Sequence, residues 1–337
     1  MNILFTCAGR RNYLLHYFRE VSGASGRIIA ADMQLSAPAM AEADKAYVVP
    51  GIYSPDYIAT ILKICKTEKV DALIPLNDLE LPVLAESSDL FTKEGIKLIV
   101  SDQYVIETCF DKYKTTLFCN KLKINFPKTF LSLEEAKDAI EWNNLDFPLA
   151  VKPRWGSASI GLEFPQTLEE LELTYRLVSL KITKSILYEA SKKYPGQAII
   201  IQEKINGTEY GLDILNNFSG EPVAVYVKEK LAMRAGETDK AVLRLKPELE
   251  EIGFKIGLSL GHIGNLDCDI FEKDGEYILI EMNPRFGGGY PFSHQSGADY
   301  PAAICSWIED RLFNIKNFTR EYDQPYAKCD NLIRLLK

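Results

Sequence analysis

Two short segments carry hard oxygen ligands: Asn265-Leu266-Asp267-Cys268-Asp269 and Glu281-Met282-Asn283-Pro284-Arg285. Each lies in an apolar run that reads as a strand, Leu266–Phe271 and Tyr277–Met282. Side chains alternate along a strand, so Glu281 and Asn283 share one face, and Ile278, Ile280 and Met282 are expected to be buried on the other. Carboxylate and amide oxygens are the ligands Mg²⁺ prefers, and Mg²⁺ usually bridges phosphates. Asp267, Glu281 and Asn283 therefore point to a nucleotide rather than to a free metal site. The pairing of the two strands decides this. A two-residue Asp274-Gly275 turn sets Cys268 opposite Glu281 and turns Asp267 away. A three-residue Lys273-Asp274-Gly275 loop sets Asp267 opposite Glu281, and the metal requires it. Taken alone, the same residues fit an exposed hairpin with solvated acids.

A second segment runs from Leu149 to Gly161. An apolar strand delivers Lys152, and a loop of small residues follows, with Gly156, Ser157 and Gly161, whose backbone N–H groups suit a phosphate. No Gly-Lys-Ser/Thr closes it, so it is not a P-loop, and a flexible hairpin accounts for it equally well. A third segment carries the buried strand Ile199–Gln202 into Glu203-Lys204-Ile205-Asn206-Gly207 and on to Glu209. That linker's backbone suits an adenine edge and Glu209 suits ribose hydroxyls, although a strand and turn with surface acids is the commoner meaning of such a piece. Cys7-Ala8-Gly9-Arg10-Arg11 has one glycine where the dinucleotide fingerprint wants three, which rejects NAD. A tight turn with solvated arginines and an anion contact both remain open there.

These segments need elements to hold them. The first hundred residues alternate strands (Ile3–Cys7, Arg27–Ala31, Ala72–Pro75, Ile96–Val100) with helices (Arg11–Val21, Pro55–Thr67). That is the pattern of a parallel sheet of βαβ units, whose ligands bind at the carboxyl ends of strands. Here those ends carry Gly9-Arg10-Arg11, Asp32 and Asn77-Asp78-Leu79-Glu80. Beyond Val100 the pattern changes. Helices are expected at Lys112–Leu122, Leu133–Asn143 and Leu168–Leu180, and strands at Leu149–Lys152, Ala198–Gln202, Tyr210–Leu215 and Val223–Lys230. The fold class is α/β plus α+β, with a boundary near residue 105.

In this order the pieces resemble the ATP-grasp superfamily over essentially the whole chain, and most of all a short single-module form of the carbamoyl-phosphate-synthase large-subunit type. The most specific likeness is Asn-x-Asp followed by Glu-x-Asn-Pro-Arg, with fourteen residues from Asp267 to Glu281. The resemblance implies an ATP-grasp fold behind an N-terminal Rossmann-like pre-ATP-grasp domain. It divides the chain into 1–105 and 106–337, with a lid subdomain at about 125–205 and a metal-binding subdomain at about 206–325. Lys112 and Lys152 are similar to the family's two phosphate lysines, Gly156–Gly161 to its phosphate lid, and Gln202-Glu203-Lys204-Ile205 with Glu209 to its adenine and ribose contacts. Arg234-Ala235-Gly236-Glu237 resembles the loop over the γ-phosphate, and Arg285 with Arg10 and Arg234 would hold a carboxylate. The implied activity is ATP- and Mg²⁺-dependent ligation (Mn²⁺ as an alternative ion) of a small carboxylate to an amine or thiol through an acyl phosphate. Lys112, Arg234 and Arg285 would be the catalytic groups. Self-association as a homodimer is compatible with it. The synthases place a glutamine where Asp267 stands, and nothing here looks like a glutaminase domain or a second synthetase half, which speaks against carbamoyl phosphate synthesis from glutamine.

The 337 residues suffice for two or three domains. With 39 Lys and Arg against 47 Asp and Glu, the net charge of −8 repels nucleic acid and acidic membranes. No run approaches the ~18 apolar residues of a membrane span, and the N-terminus reads as a strand rather than a signal peptide. Seven cysteines without a Cys-x-x-Cys pair suggest reduced thiols in a cytoplasm, and His16, His262 and His294 make no metal signature. Two rival functions stay in view. A small-molecule kinase would turn over ATP with the acid alone, and a nucleotide sensor would have no need of the full set Lys112, Lys152, Asp267, Glu281, Asn283 and Arg285.

Overall fold

The computed structural model describes residues 1–23, 25–156 and 161–336. Its first five strands are β1 (Asn2–Thr6), β2 (Arg27–Asp32), β3 (Lys45–Val48), β4 (Ala72–Pro75) and β5 (Lys97–Leu98). They form one parallel sheet in the order β3-β2-β1-β4-β5. The chain winds outward from β1 to β3 and crosses back to β4, so the crevice at the carboxyl ends of β1 and β4 is the switch point where such sheets admit ligands. Helix 12–21 buries Leu14, Leu15 and Phe18 along one face. Phe18 meets Phe286 edge-on at 5.9 Å, and one core cluster holds Ile3 and Phe5 together with Tyr226, Tyr290 and Tyr300. The parallel sheet thus shares its core with the far end of the chain.

Helix 112–122 is capped by Asp111, which accepts from the backbone of Tyr113 and Lys114, and it stops at Lys123 in the left-handed conformation. Next come β6 (Thr129–Phe130), β7 (Leu149–Pro153) and β8 (Ile199–Glu203), an antiparallel sheet ordered β6-β8-β7. The last sheet contains β9 (Thr208–Asn216), β10 (Pro222–Arg234), β11 (Glu237–Leu243), β12 (Gly264–Lys273), β13 (Glu276–Asn283) and β14 (Pro325–Ala327). Its antiparallel order is β13-β12-β9-β10-β11-β14.

The strands and helices expected from sequence are present, with ends shifted by a few residues. Several elements lie outside that expectation, helices 103–110 and 300–308 among them; two others form or cover the last sheet. One is β11, joined to β10 by the two-residue turn Ala235-Gly236 with φ of 52° and 79°. The other is helix 247–260, opened by Pro247 and closed by Gly261 at φ 68°.

The β12–β13 hairpin corrects the expected register. Its turn is the two-residue Asp274-Gly275, with φ of 52° and 81°, and not the three-residue loop. Asp-Gly is the preferred pair for a type I′ turn, whose twist suits the flanking strands. From it, Lys273 pairs with Glu276 and Ile270 with Leu279. The register then slips by one, so that Asp269 faces Glu281 and Asp267 faces Asn283. Ile280 is the extra residue of this bulge. Beyond it the alternation restarts. Leu279 and Met282 enter the core, while Ile280, expected to be buried, lines a cleft beside Glu281 and Asn283. The bulge keeps the oxygen ligands on one face although the loop is shorter than the metal reading required.

Helix 247–260 owes its closeness to the sheet to glycine. A Cβ on Gly253 would lie 2.6 Å from Val225 Cγ1 and 3.0 Å from Cγ2. Gly253→Ala is expected to destabilise the fold by about 1–3 kcal/mol, read as a lower midpoint of thermal or urea unfolding.

Candidate functional site

The three-stranded sheet and the open face of the six-stranded sheet enclose a cleft of about 580 Å³. That is the size of a small-molecule site. Its walls carry Lys112 from the helix start, Lys152 from β7, Gln202 to Gly207 from the end of β8, and Asp267, Asp269, Glu281 and Asn283 from β12 and β13. Residues distant in sequence and expected to act together do share one cavity.

One end is cationic. Lys112 and Lys152 are 7% and 9% exposed, and the Lys112 ammonium donates to the carbonyl of Gly156. Burial, then the neighbouring Lys112, pushes the Lys152 ammonium down to about 8, with Glu281 and Asp269 pulling the other way. Two buried cations that repel each other suit a polyanion. Gly156 lines this end, and its φ of 111° with Leu187 Cδ2 2.8 Å from a would-be Cβ explains the glycine. Gly161, at φ 72°, instead packs against Pro153 and is not part of the cleft wall. Ser157 lies outside the described residues.

The opposite wall is anionic. Burial and then Asp269 raise the Asp267 carboxyl to about 6, although Lys228 and Arg285 pull it down. Lys228 Nζ stands 3.9 Å from Asp267 Oδ1, and Arg285 Nη1 stands 3.5 Å from Oδ2. Lys230 bridges Glu209 at 2.7 Å and Asp269 at 2.6 Å. Among the described residues, no three His, Cys, Asp or Glu side chains form a metal cage by themselves. The donor set fits an ion that brings phosphate oxygens with it, since crowded carboxylates and the amide of Asn283 supply only part of an octahedral shell.

A further part of the wall is apolar. Ala150, Leu162, Phe164, Phe271 and Ile280 flank the strand-to-strand linker, and Lys204 Nζ lies 4.8 Å above the Phe164 ring. Gln202 Nε2 donates to Thr129 Oγ1 at 2.7 Å, and Glu203 Oε1 accepts from the Lys128 backbone at 3.0 Å. Ile205 and Glu209 line the cleft as well.

At the other extreme the cleft opens toward the crevice of the parallel sheet. Arg285 bonds Asp78, beyond β4, at 2.7 Å. Burial opposes its charge, but Asp78 and Asp267 hold the guanidinium above its ordinary value. A run such as Gly287-Gly288-Gly289 permits both close backbone approach and unusual dihedrals; here none of the three has a positive φ. Space is the reason for them. A Cβ would lie 2.2 Å from Asp267 Cγ at Gly287, 3.1 Å from Glu237 Cδ at Gly288 and 2.6 Å from Lys228 Cε at Gly289.

Two expected arginines stand elsewhere. Arg234, at the tip of the β10–β11 hairpin, turns outward to Asp239 at 3.0 Å and Asp330 at 2.8 Å, because the short turn points it at the C-terminal segment. Arg10 is exposed and off the cleft wall. The neighbouring positions on the cleft wall are held by Arg11, which donates to the Phe286 carbonyl, and by the acid Glu237. The Glu237 carboxyl is lowered: burial opposes this, but Lys328, Arg11 and Arg10 outweigh it. Sequence reasoning also passed over Lys228 and Lys230. Their signal is two lysines at alternate positions, on either side of Glu229, after the apolar run Val223–Val227.

A buried lysine with a depressed pKa costs folding energy whenever it must be charged. The unfolded chain binds its proton up to about 10.5, the folded chain only to about 8, so stability rises with pH across that window. Lys152→Met is expected to stabilise the ligand-free chain at pH 7 by up to about 3 kcal/mol, read as a higher melting point, with the gain fading between pH 8 and 10. Equal melting points at pH 7 would count against this charge being buried.

The chain matches two families of known proteins. The family described as ATP-grasp domain covers residues 109–289, and that described as PylC-like, N-terminal domain covers residues 3–99. The carbamoyl phosphate synthase large chain of Myxococcus xanthus is 22% identical over 74% of this chain and 24% of its own length. The formate-dependent phosphoribosylglycinamide formyltransferase of Methanocaldococcus jannaschii is 24% identical over 76% of this chain and 63% of its own. The chain thus spans less than two thirds of either relative. A solved biotin carboxylase from Campylobacter jejuni superposes with a TM-score of 0.74 at 16% identity, over 95% of this chain and 73% of the other. With the family match extending over more than half of its length, the chain belongs to the ATP-grasp family.

Proposed function

We propose that this chain is an ADP-forming carboxylate–amine ligase that binds ATP with Mg²⁺ in the cleft. The observation that carries the proposal is the convergence of Lys112 and Lys152 with Asp267, Asp269, Glu281 and Asn283 across one cavity. Adenine would lie among Phe164, Ile280 and the Gln202–Ile205 backbone, with Glu209 at the ribose. The triphosphate would lie between the two lysines and the acidic wall. Mg²⁺, held by Asp267, Glu281 and Asn283 with Asp269 beside them, would neutralise the β- and γ-phosphates.

The acid would lie at the Arg285 and Arg11 end, where the parallel sheet opens. Its oxygen attacks the γ-phosphorus and ADP leaves, which gives an acyl phosphate. An amine (or thiol) then attacks the acyl carbon, phosphate leaves, and the nucleophile loses a proton. Lys112, Lys152 and Arg285 serve by offsetting charge that grows in transfer, already in place and shielded from water. The deciding experiment pairs candidate acids and amines and follows ADP release, with mass spectrometry of the product. Turnover that needs both partners supports the ligase, and turnover with the acid alone supports a kinase.

Glu281→Gln keeps size and shape but removes one charge from the ion's shell. Turnover is expected to fall by about 10²-fold or more, with partial recovery at raised Mg²⁺. Glu276→Gln is the control. Its carboxylate sits outside the cleft and meets Asn125 Nδ2 at 3.3 Å, so parent-like activity is expected. Parent-like activity of Glu281→Gln at limiting Mg²⁺ would remove β13 from the site.

A further inference from the structure

We propose that Arg154 is a positioning residue for the phosphate end of the cleft, holding the carriers of Lys112 and Lys152 together before nucleotide arrives. The inference rests on the nucleotide reading above. Arg154 directly follows β7, two residues after Lys152, and its side chain is 5% exposed. Its Nε and Nη2 donate to the two oxygens of Asp111, each at 2.7 Å, and Nη1 donates to Gln197 Oε1 at 3.1 Å. The guanidinium carbon lies 5.3, 4.7 and 5.0 Å from the ring centroids of Tyr113, Trp155 and Tyr194. The main chain is used as well. Lys112 N–H donates to the Arg154 carbonyl at 3.1 Å, and Arg154 N–H donates to the Ala198 carbonyl at 2.9 Å.

Asp111 precedes Lys112, and its Oδ1 also caps the helix through the Tyr113 N–H at 3.0 Å. One ion pair therefore ties the start of the Lys112 helix, the end of the Lys152 strand and the segment entering β8. Two buried ammonium groups drive their carriers apart, and without a polyanion between them only the framework resists. A buried ion pair is a weak device for stability, since apolar replacements are often as good. A two-pronged guanidinium–carboxylate contact is instead a strong device for direction, because it fixes a plane that a lysine cannot. The aromatic rings hold that plane from its faces.

The test compares the parent with Arg154→Lys, which keeps the charge and loses the fork, and with Tyr194→Leu, which removes an exposed ring that is off the cleft wall and stacks on Trp155 at 5.3 Å. ATP affinity is measured by calorimetry with Mg²⁺, KM and kcat by ADP release, and folding by melting point. Arg154→Lys is expected to weaken ATP binding and raise KM for ATP by about tenfold, while kcat at saturating ATP stays within about threefold. Tyr194→Leu should shift the same constants in the same direction, by less. A lowered melting point with ATP affinity unchanged would assign Arg154 to the fold alone and overturn the proposal. So would a loss confined to kcat. If Arg154→Lys does not fold, Tyr194→Leu and Gln197→Leu decide, and parent-like ATP affinity in both overturns it. A parent that binds no ATP sinks the nucleotide reading and this inference with it. A parent that binds ATP as tightly as Arg154→Lys sinks the inference only.

Discussion

Arg285 is the contact on which the arrangement turns. Its guanidinium reaches Asp78 at the carboxyl end of the parallel sheet and Asp267 on the acidic wall, and it is almost fully buried between them. A charge so placed is tolerable only while its partners stay in position. The two halves of the chain, already sharing one apolar core, are therefore also registered to each other at the point where the crevice of one opens into the cleft of the other. Had this contact been apolar, the halves could slide by a rotamer without penalty. A charged one fixes both the angle and the distance between them.

Around that fixed point the cleft separates charge along its length. Cations crowd at Lys112 and Lys152, and carboxylates crowd from Asp267 to Glu281. Each group of like charges is destabilising on its own. Asp267 holds on to a proton until about pH 6 and Lys152 gives one up near 8. The ligand-free chain is thus charged as the complement of a metal-bound polyphosphate. Part of the stability of the fold is given up to keep the site ready, as preorganised electrostatics require.

How far the sequence made this visible depends on how local each cause is. Lys152 is legible because an apolar strand delivers it, and Asp267, Glu281 and Asn283 because their spacing is that of a hairpin. The Asp274-Gly275 turn was legible too, yet its consequence was not. Ile280 is as apolar as its neighbours, so nothing in the sequence marks it as the residue that bulges and restarts the alternation. Helix 247–260 carried its start and stop in Pro247 and Gly261, but Gly253 and Gly257 inside it blurred the pattern. Arg234 shows the limit of motif matching. Its direction is set by Asp330, ninety-six residues away, which no local pattern contains.

The triple glycine after Arg285 binds three sites of the chain to three others. Position 287 is spoken for by Asp267, 288 by Glu237 and 289 by Lys228. The fit is tightest at 287 and loosest at 288, where the obstructing group is the end of a flexible glutamate. Among homologous chains these positions should therefore vary in pairs and not singly. A side chain at 288 is admissible where residue 237 is short, one at 289 only where residue 228 has ceased to be a lysine, and none at 287 while an aspartate stands at 267. The glycine run and the three strands that crowd it, β10, β11 and β12, thus form a single heritable unit.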